Sequence, residues 1–323
     1  MTTTRPFAQI DVFTARPGLG NPVAVVLDAA GLSDTDMQRF ARWTNLSETT
    51  FVLPPTDHAA DYAVRIFTPG GELPFAGHPT LGTCFAWLAA GGQPQAADTI
   101  VQQCAKGLIP IRRSGGPGGT RLAFAAPPLQ ASTPDAALLP AVARALGLPG
   151  AHALRKARWL DNGPRWLGLL LPSADEVLAL TPDHAALATL GVKVGVAGLS
   201  DPAHDTAPVL IARASREARA FAAPAQRAAQ AAASSALAPQ DTPLLHVRAF
   251  AAPLGVPEDP VTGSLNASLA QWLMAEGDVP ATYVAAQGQC LGRDGHVHIT
   301  RDAQGQVWVG GDCVRVITGQ VTL

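Results

Sequence analysis

The run Leu81 to Ala90 (LGTCFAWLAA) carries no charge and is apolar on every face of a helix. A helix of that kind has no polar stripe to give to water, so it belongs inside a core. It is also far too short to cross a bilayer. The surrounding chain reads as short strands. Phe7 to Phe13, Pro22 to Leu27, Thr49 to Leu53 and Tyr62 to Phe67 are β-rich, with a turn signal at Gly18 to Asn21. Ser33 followed by Asp36 marks a helix start, and that helix should run to about Trp43. The Pro/Gly-rich loop Thr68 to Gly77 then leads into a helix from about His78 to Ala90. The pattern predicts a helix wrapped by sheet.

The second half of the chain repeats this order. Val64-Arg65-Ile66-Phe67 matches Val247-Arg248-Ala249-Phe250, and each is followed by a loop and a weakly polar helix with a Trp-Leu pair, Trp87-Leu88 and Trp272-Leu273. Aligned on those pairs, His78 falls opposite Gly263, Pro79 opposite Ser264, and Cys84 opposite Leu269. A chain of 323 residues suits two domains. The expected halves are 1–118 and 119–323, joined near the Gly-rich turn Ser114 to Gly119, with the first half open to completion by the C-terminal residues. Thr181-Pro182-Asp183 reads as a helix start with Thr181 as cap and Pro182 at the first helical position. Ser215 to Leu237 is Ala-rich with little to anchor it, and is expected to be a helix followed by a loose, mobile loop.

Composition narrows the function classes. Apolar residues make up 47% and charged residues 15%, which supports a large core and argues against disorder. The net charge is −2 and the basic residues are scattered, so no nucleic-acid partner is expected. The N-terminal residues lack the apolar stretch of a signal peptide, and no run approaches membrane-spanning length, so the chain reads as soluble and cytoplasmic, with no membrane partner. Cys84, Cys104, Cys290 and Cys313 are widely spaced without a C-x-x-C, which suggests buried reduced thiols. His296 and His298 share one face of a probable strand, but no third ligand is in sight, so no metal site is expected. There is no G-x-S-x-G, no Walker loop and no G-x-G-x-x-G after a strand.

The residues suited to chemistry cluster at the two helix starts. A helix that begins after a Gly-containing loop offers unpaired N–H groups and the positive end of its dipole, which together suit an anion. Gly77 and Gly263 would let the backbone approach a ligand, although ordinary strand-to-helix turns look the same. Glu48, among apolar neighbours, is a proton carrier if its pKa is raised, and a surface carboxylate if not. His78 is a donor, a proton carrier or a capping residue. Asp259 is a cap or a catalytic group.

Several segments together resemble the PhzF-like phenazine biosynthesis family. They are Gly20 to Val26 (GNPVAVV), Asn45 to Phe51 (NLSETTF), Phe75 to Thr80 (FAGHPT), Glu258 to Ser264 (EDPVTGS), Gln287 to Arg293 (QGQCLGR) and Val309 to Gly311. The resemblance runs from about residue 7 to the end and covers 215–240 poorly. It implies an α+β diaminopimelate-epimerase-like fold of two pseudo-symmetric domains, each a curved sheet around a central buried helix, and it implies a homodimer. The family chemistry is isomerisation of trans-2,3-dihydro-3-hydroxyanthranilate, in which a glutamate moves a proton between carbons without metal or organic cofactor. By resemblance that glutamate is Glu48, supported by His78, Asp259 and Ser264, with backbone near Gly77 and Gly263 holding a small carboxylated substrate. Epimerases of the same fold use paired cysteines, and no cysteine stands at either place here. An amino- or hydroxy-acid epimerase and a non-catalytic metabolite-binding or interaction protein are the alternatives.

Overall fold

The apolar run sits where its composition requires. In the computed structural model, which describes residues 3–116, 119–200 and 242–323, helix α2 (Gly77–Ala89) is buried continuously from Gly77 to Cys84. It is enclosed by β1 (Thr4–Val12), β2 (Asn21–Val26), β3 (Glu48–Leu53), β4 (Tyr62–Thr68), β6 (Thr99–Cys104), β7 (Gly107–Gly116), β8 (Gly119–Ala125) and the long β17 (Val307–Thr322). These eight pair in that order, and β17 pairs back to β1, so the sheet closes into a barrel around the helix. Helix α1 (Asp34–Thr44) lies between β2 and β3 in sequence, and Ser33 caps it by accepting from Asp36 N at 3.2 Å. The loop before α2 contains a short strand, β5 (Gly71–Leu73), that the sequence reading left as loop.

The same pairing order recurs downstream. It runs through β9 (Gln130–Ser132), α3 (Leu139–Ala145), β10 (Lys156–Asp161), β11 (Arg165–Leu170), α4 (Ala174–Ala179), α5 (His184–Leu190), β12 (Val194–Leu199), β13 (Leu245–Ala251), β14 (Val256–Asp259), α6 (Gly263–Ala275), β15 (Thr282–Gln287) and β16 (Gly295–Arg301). Strands β2 and β3 are parallel, β3 and β4 antiparallel, and β4 and β5 antiparallel; β11 to β14 repeat this sequence of senses. The registers agree residue by residue: Thr49 faces Phe67 as Val194 faces Phe250, and Ile66 faces Leu73 as Ala249 faces Asp259. The result is a mixed, sheet-rich fold with few helices. Strand β7 ends at Gly116 and β8 begins at Gly119, which pair with each other, and the recurrence restarts at β10. The first strands and the last are exchanged: β17 closes on β1, and β9 on β10.

An Arg-x-Phe clamp marks both repeats. Arg65 donates to Glu72 at 2.8 and 2.6 Å and lies 5.1 Å from the Phe67 ring. Arg248 donates to Glu258 at 2.9 and 2.7 Å and lies 5.0 Å from the Phe250 ring. Each glutamate stands five residues before a helix-starting glycine, Gly77 or Gly263. This sets the repeat register one residue away from the Trp-Leu alignment: Gly77 is equivalent to Gly263, His78 to Ser264, and Cys84 to Ala270. The Trp-Leu pairs misled because both indoles lie far along their helices, Trp87 partly buried and Trp272 buried, where a one-residue offset still reaches apolar surroundings.

Gly77 and Gly263 meet each other. A Cβ on Gly77 would stand 3.1 Å from the Gly263 Cα and 2.8 Å from the Phe124 ring; a Cβ on Gly263 would stand 3.2 Å from the Gly77 Cα. The two buried helices therefore touch start to start, backbone against backbone.

Two smaller readings change. Helix α5 is capped by Asp183, whose carboxylate accepts from Ala186 N at 2.9 Å, rather than by Thr181, because the chain stays extended through Asp183 before turning. Of the four cysteines, Cys84 and Cys313 are buried, Cys104 is partly exposed and Cys290 is exposed at the 3-10 turn after β15. The Ala-rich segment 215–237 lies outside the described residues. No helix among the described residues is long and apolar enough to cross a membrane.

The glycine contact can be tested directly. Gly77→Ala and Gly263→Ala should each lower the unfolding free energy by about 1–3 kcal/mol, the range for an overpacked core site, measured by denaturant titration. An unchanged midpoint would show that the helix starts have room to spare.

Candidate active site

The start of β3 brings Glu48 beside the first turn of α2. Glu48 Oε2 lies 3.3 Å from His78 Nε2, and the two side chains are 16% and 6% exposed. Neither atom has a hydrogen-bond partner of good geometry among the described residues. On the other side of the helix junction, β14 delivers Asp259 just before α6. Asn21, fully buried at the start of β2, joins the two halves: its Nδ2 lies 2.8 Å from Val261 O, 3.0 Å from Asp259 Oδ1 and 3.3 Å from His78 Nδ1. The second carboxylate oxygen of Asp259 accepts from Thr262 Oγ1 at 2.6 Å.

Burial decides the charges. Removing Glu48 from water raises its carboxyl pKa to about 8, and the charge of Asp259 raises it further within that value, against a smaller lowering by the Ser47 hydroxyl. Burial takes His78 down to about 3, opposed by a hydrogen bond to the backbone of Pro22. Asp259 rises to about 6, again by burial, with Thr262 and Asn21 holding it down. The Glu48–His78 separation is that of an ion pair, yet both partners are neutral at pH 7. Asn21 has two amide protons, and its two shortest contacts, to Val261 and Asp259, use them. His78 can then donate to Pro22 and present the lone pair of Nε2 to the protonated Glu48. The arrangement stores one proton on a basic carboxylate next to a neutral imidazole.

The two helix starts complete the surroundings. Neither Ala76 nor Thr262 gives its helix a side-chain cap. Among the described residues no side chain caps their first N–H groups, and two positive dipole ends converge where the glycines touch. Ser264 follows Gly263 in the first turn of α6, and its carbonyl accepts from Asn162 Nδ2 at 3.0 Å. Glu48, His78, Asp259, Gly77, Gly263 and Ser264 thus gather at one junction, as the sequence suggested.

Other members escaped the sequence reading. Gln287 donates to Asp259 O and Thr262 Oγ1 at 3.0 and 2.9 Å, and its Oε1 accepts from Thr262 N and Asn266 Nδ2. Buried Arg248 grips Glu258 and reaches the carbonyls of Val177 and Leu180 at 3.3 and 2.8 Å, fixing the strand that carries Asp259. Asn21 and Gln287 stood inside quoted motifs; what pointed to them was an amide flanked by Pro or Gly in an otherwise apolar stretch.

Two surface cavities, of about 550 and 240 Å³, lie elsewhere; the larger is bordered by Asp34, Arg39, Arg42 and Glu72. His296 and His298 are on β16, near Asp294 and Arg121 respectively, away from this junction. No cluster of three or more metal-suited side chains occurs among the described residues.

A barrel thus encloses a buried helix, with a buried carboxylate and imidazole at the helix start. A model of the phenazine biosynthesis-like protein family, PhzC-PhzF, matches residues 10–319, and the chain belongs to that family. Antisense-enhancing sequence 1 of Schizosaccharomyces pombe is 33% identical over 98% of this chain and 99% of its own length. The trans-2,3-dihydro-3-hydroxyanthranilate isomerase of Pseudomonas chlororaphis is 41% identical over 180 residues, 56% of this chain and 62% of that enzyme, so the match spans less than two thirds of it. Among solved structures, a PhzF family protein of Bacillus anthracis superposes with a TM-score of 0.76 at 23% identity, covering 99% of this chain and all of the other. A hydroxyproline epimerase of Agrobacterium vitis shares the fold with a TM-score of 0.54 at 13% identity over 99% and 93% of the two chains. The family is an isomerase family, and by class this chain is an isomerase.

The raised Glu48 pKa has a stability consequence. The folded state holds this proton more tightly than the unfolded chain, whose ordinary value is 4.5. The contribution is fully present below pH 4.5 and is lost as pH rises through about 8, a loss of roughly 5 kcal/mol at most. Glu48→Gln, which cannot ionise, should therefore raise the melting temperature relative to wild type at pH 9 and leave it nearly unchanged at pH 4. Equal effects at both values would place Glu48 in an ordinary environment.

Proposed function

We propose that this protein is a cofactor-independent isomerase that moves a proton between carbons of a small carboxylated metabolite, with Glu48 as the proton carrier. The observation that carries the reading is Glu48 itself: a buried carboxyl held near pKa 8, 3.3 Å from a neutral His78. A carboxylate that ionises only near that value is a strong base once formed and a competent acid when protonated. In its ionised form Glu48 takes a proton from one carbon of the substrate and returns it to another. His78 Nε2 faces the carboxyl and can steady its proton between the two steps. Asp259 contributes the charge that keeps Glu48 basic, and Asn21 and Thr262 hold Asp259. The uncapped starts of α2 and α6, at Gly77 and Gly263, supply N–H groups for the substrate's carboxylate, with Ser264 beside them.

The finer architecture fits this chemistry. Two diaminopimelate-epimerase-like halves, 1–118 and 119–323, each a curved sheet around α2 or α6, would place one helix start on each side of the substrate, with the C-terminal strand β17 completing the first half. A homodimer in the cytoplasm is part of the same reading. The ring isomer named for the Pseudomonas enzymes, trans-2,3-dihydro-3-hydroxyanthranilate, is the first substrate to try; amino- or hydroxy-acid epimerisation is the second, favoured by the epimerase neighbour of the same fold.

Carbon-bound deuterium uptake in heavy water tests the reading. Wild type should exchange protons into its substrate, and Glu48→Gln should lose about 10²- to 10⁴-fold in that rate. Exchange by Glu48→Gln at the wild-type rate would remove Glu48 from the mechanism. The pH profile is a second check. kcat/KM should climb with pH as Glu48 ionises and level off above about 8, and Asp259→Asn should shift that limb part of the way downward, because burial is the larger cause of the raised value and the Asp259 charge adds to it. A limb that stays in place would show that the two carboxyls do not feel each other.

A further inference from the structure

The recurrence of strand registers assigns Glu48 a counterpart. Thr49 faces Phe67 across β3–β4 and Ala24 across β2–β3; Val194 faces Phe250 across β12–β13 and Leu167 across β11–β12. The residue before Thr49 is Glu48, and the residue before Val194 is Lys193. The base of one repeat thus stands where the other repeat has a cation.

The surroundings of Lys193 resemble half of a site. It stands just before β12 on the same face as Gly195, where a Cβ would run into the Leu265 side chain in the first turn of α6. Its ammonium lies 4.7 Å from the Trp166 ring. It is half-buried, and that burial lowers its pKa, opposed by Asp161. Trp166 and Asn162 are each 4% exposed, yet Trp166 Nε1 and Asn162 Oδ1 have no hydrogen-bond partner among the described residues. Asn162 is tied to the same helix start through its bond to Ser264 O. Buried polar atoms left unpaired are costly, and their persistence beside an uncapped helix start points to a ligand that pairs them. The mirror-related helix start shows the same feature in Glu48 Oε2 and His78 Nε2.

We infer that Lys193, with Trp166 and Asn162, forms the recognition end of the site: the Lys193 ammonium and Trp166 N–H bind the carboxylate of the ligand, and Asn162 Oδ1 accepts from a neighbouring amino or hydroxyl group. This rests on the reading that a carboxylated ligand lies between the helix starts. It divides labour between the repeats, with proton transfer at the β3 end and charge recognition at the β12 end. Lys193 is a specificity-determining residue; the proton moves without it.

Binding of two probes separates recognition from chemistry. Anthranilate carries a carboxylate beside an amino group, and anthranilamide is its uncharged amide. By calorimetry, wild type should bind anthranilate about tenfold or more tightly than anthranilamide, the scale of a charged hydrogen bond in a partly buried site. Lys193→Met should bring the two affinities within about twofold of each other while leaving anthranilamide binding unchanged. Lys193→Arg, which keeps the charge, should still prefer anthranilate. Wild type without a preference for the carboxylate, or a preference that survives in Lys193→Met, overturns the assignment. Because neither probe is turned over, these outcomes are independent of the deuterium exchange that tests Glu48. If Lys193→Met keeps the preference while Glu48→Gln loses exchange, the helix N–H groups alone hold the carboxylate and the proton-transfer reading stands.

Discussion

A Cβ on Gly77 would run into the Phe124 ring and crowd Gly263, and a Cβ on Gly263 would crowd the Gly77 backbone. Everything else in the site follows from that contact. Two helices can meet start to start only if their first residues lack side chains, and they stay there only if sheet surrounds them. The closed barrel around α2 and the strands packed on α6 provide that enclosure. The meeting also sets two positive dipole ends together, an arrangement that repels itself and is relieved by an anion. The junction is therefore strained in its electrostatics and rigid in its packing, which suits a site that must bind a carboxylate in one pose.

The same enclosure tunes the acid and base groups. Among the described residues no cation offsets the loss of water at Glu48, and the neighbouring Asp259 raises its pKa further. His78 is as deeply buried and cannot answer with a positive charge. Glu48 thereby keeps its proton at neutral pH instead of settling into a salt bridge with His78. The buried Arg248–Glu258 pair fixes the approach of β14, so Asp259 is presented at one distance. In the other repeat the equivalent Arg65–Glu72 pair adds a contact to Asp34 of α1 and sits nearer solvent, where it secures β5 and touches no reacting group.

Much of this was legible in the chain. An uncharged helix that is apolar all round has one physical outcome, and both the enclosed helix and the strands around it follow from that pattern. Glu48, His78 and Asp259 could be named because the motifs holding them are specific. The repeat was visible too, but its register was not: Trp87 and Trp272 lie far along their helices, where packing tolerates a residue of slippage, whereas the glycines at the start do not. Long-range contacts were the hidden part. Nothing in the run Gly20-Asn21-Pro22 shows that one amide will reach both Asp259 and His78, because that depends on two loops some 240 positions apart meeting in space. Lys193 was invisible for the same reason. It lies in no motif, and only the strand register sets it opposite Glu48.

The central claim is that burial keeps Glu48 protonated at neutral pH. The most direct measurement is a carbon-13 NMR titration of the protein labelled at glutamate side-chain carboxyls, with the Glu48 signal assigned by its loss in Glu48→Gln. The Glu48 carboxyl should titrate near pH 8, well above its ordinary value of 4.5. A Glu48 signal that titrates near that ordinary value would contradict the claim.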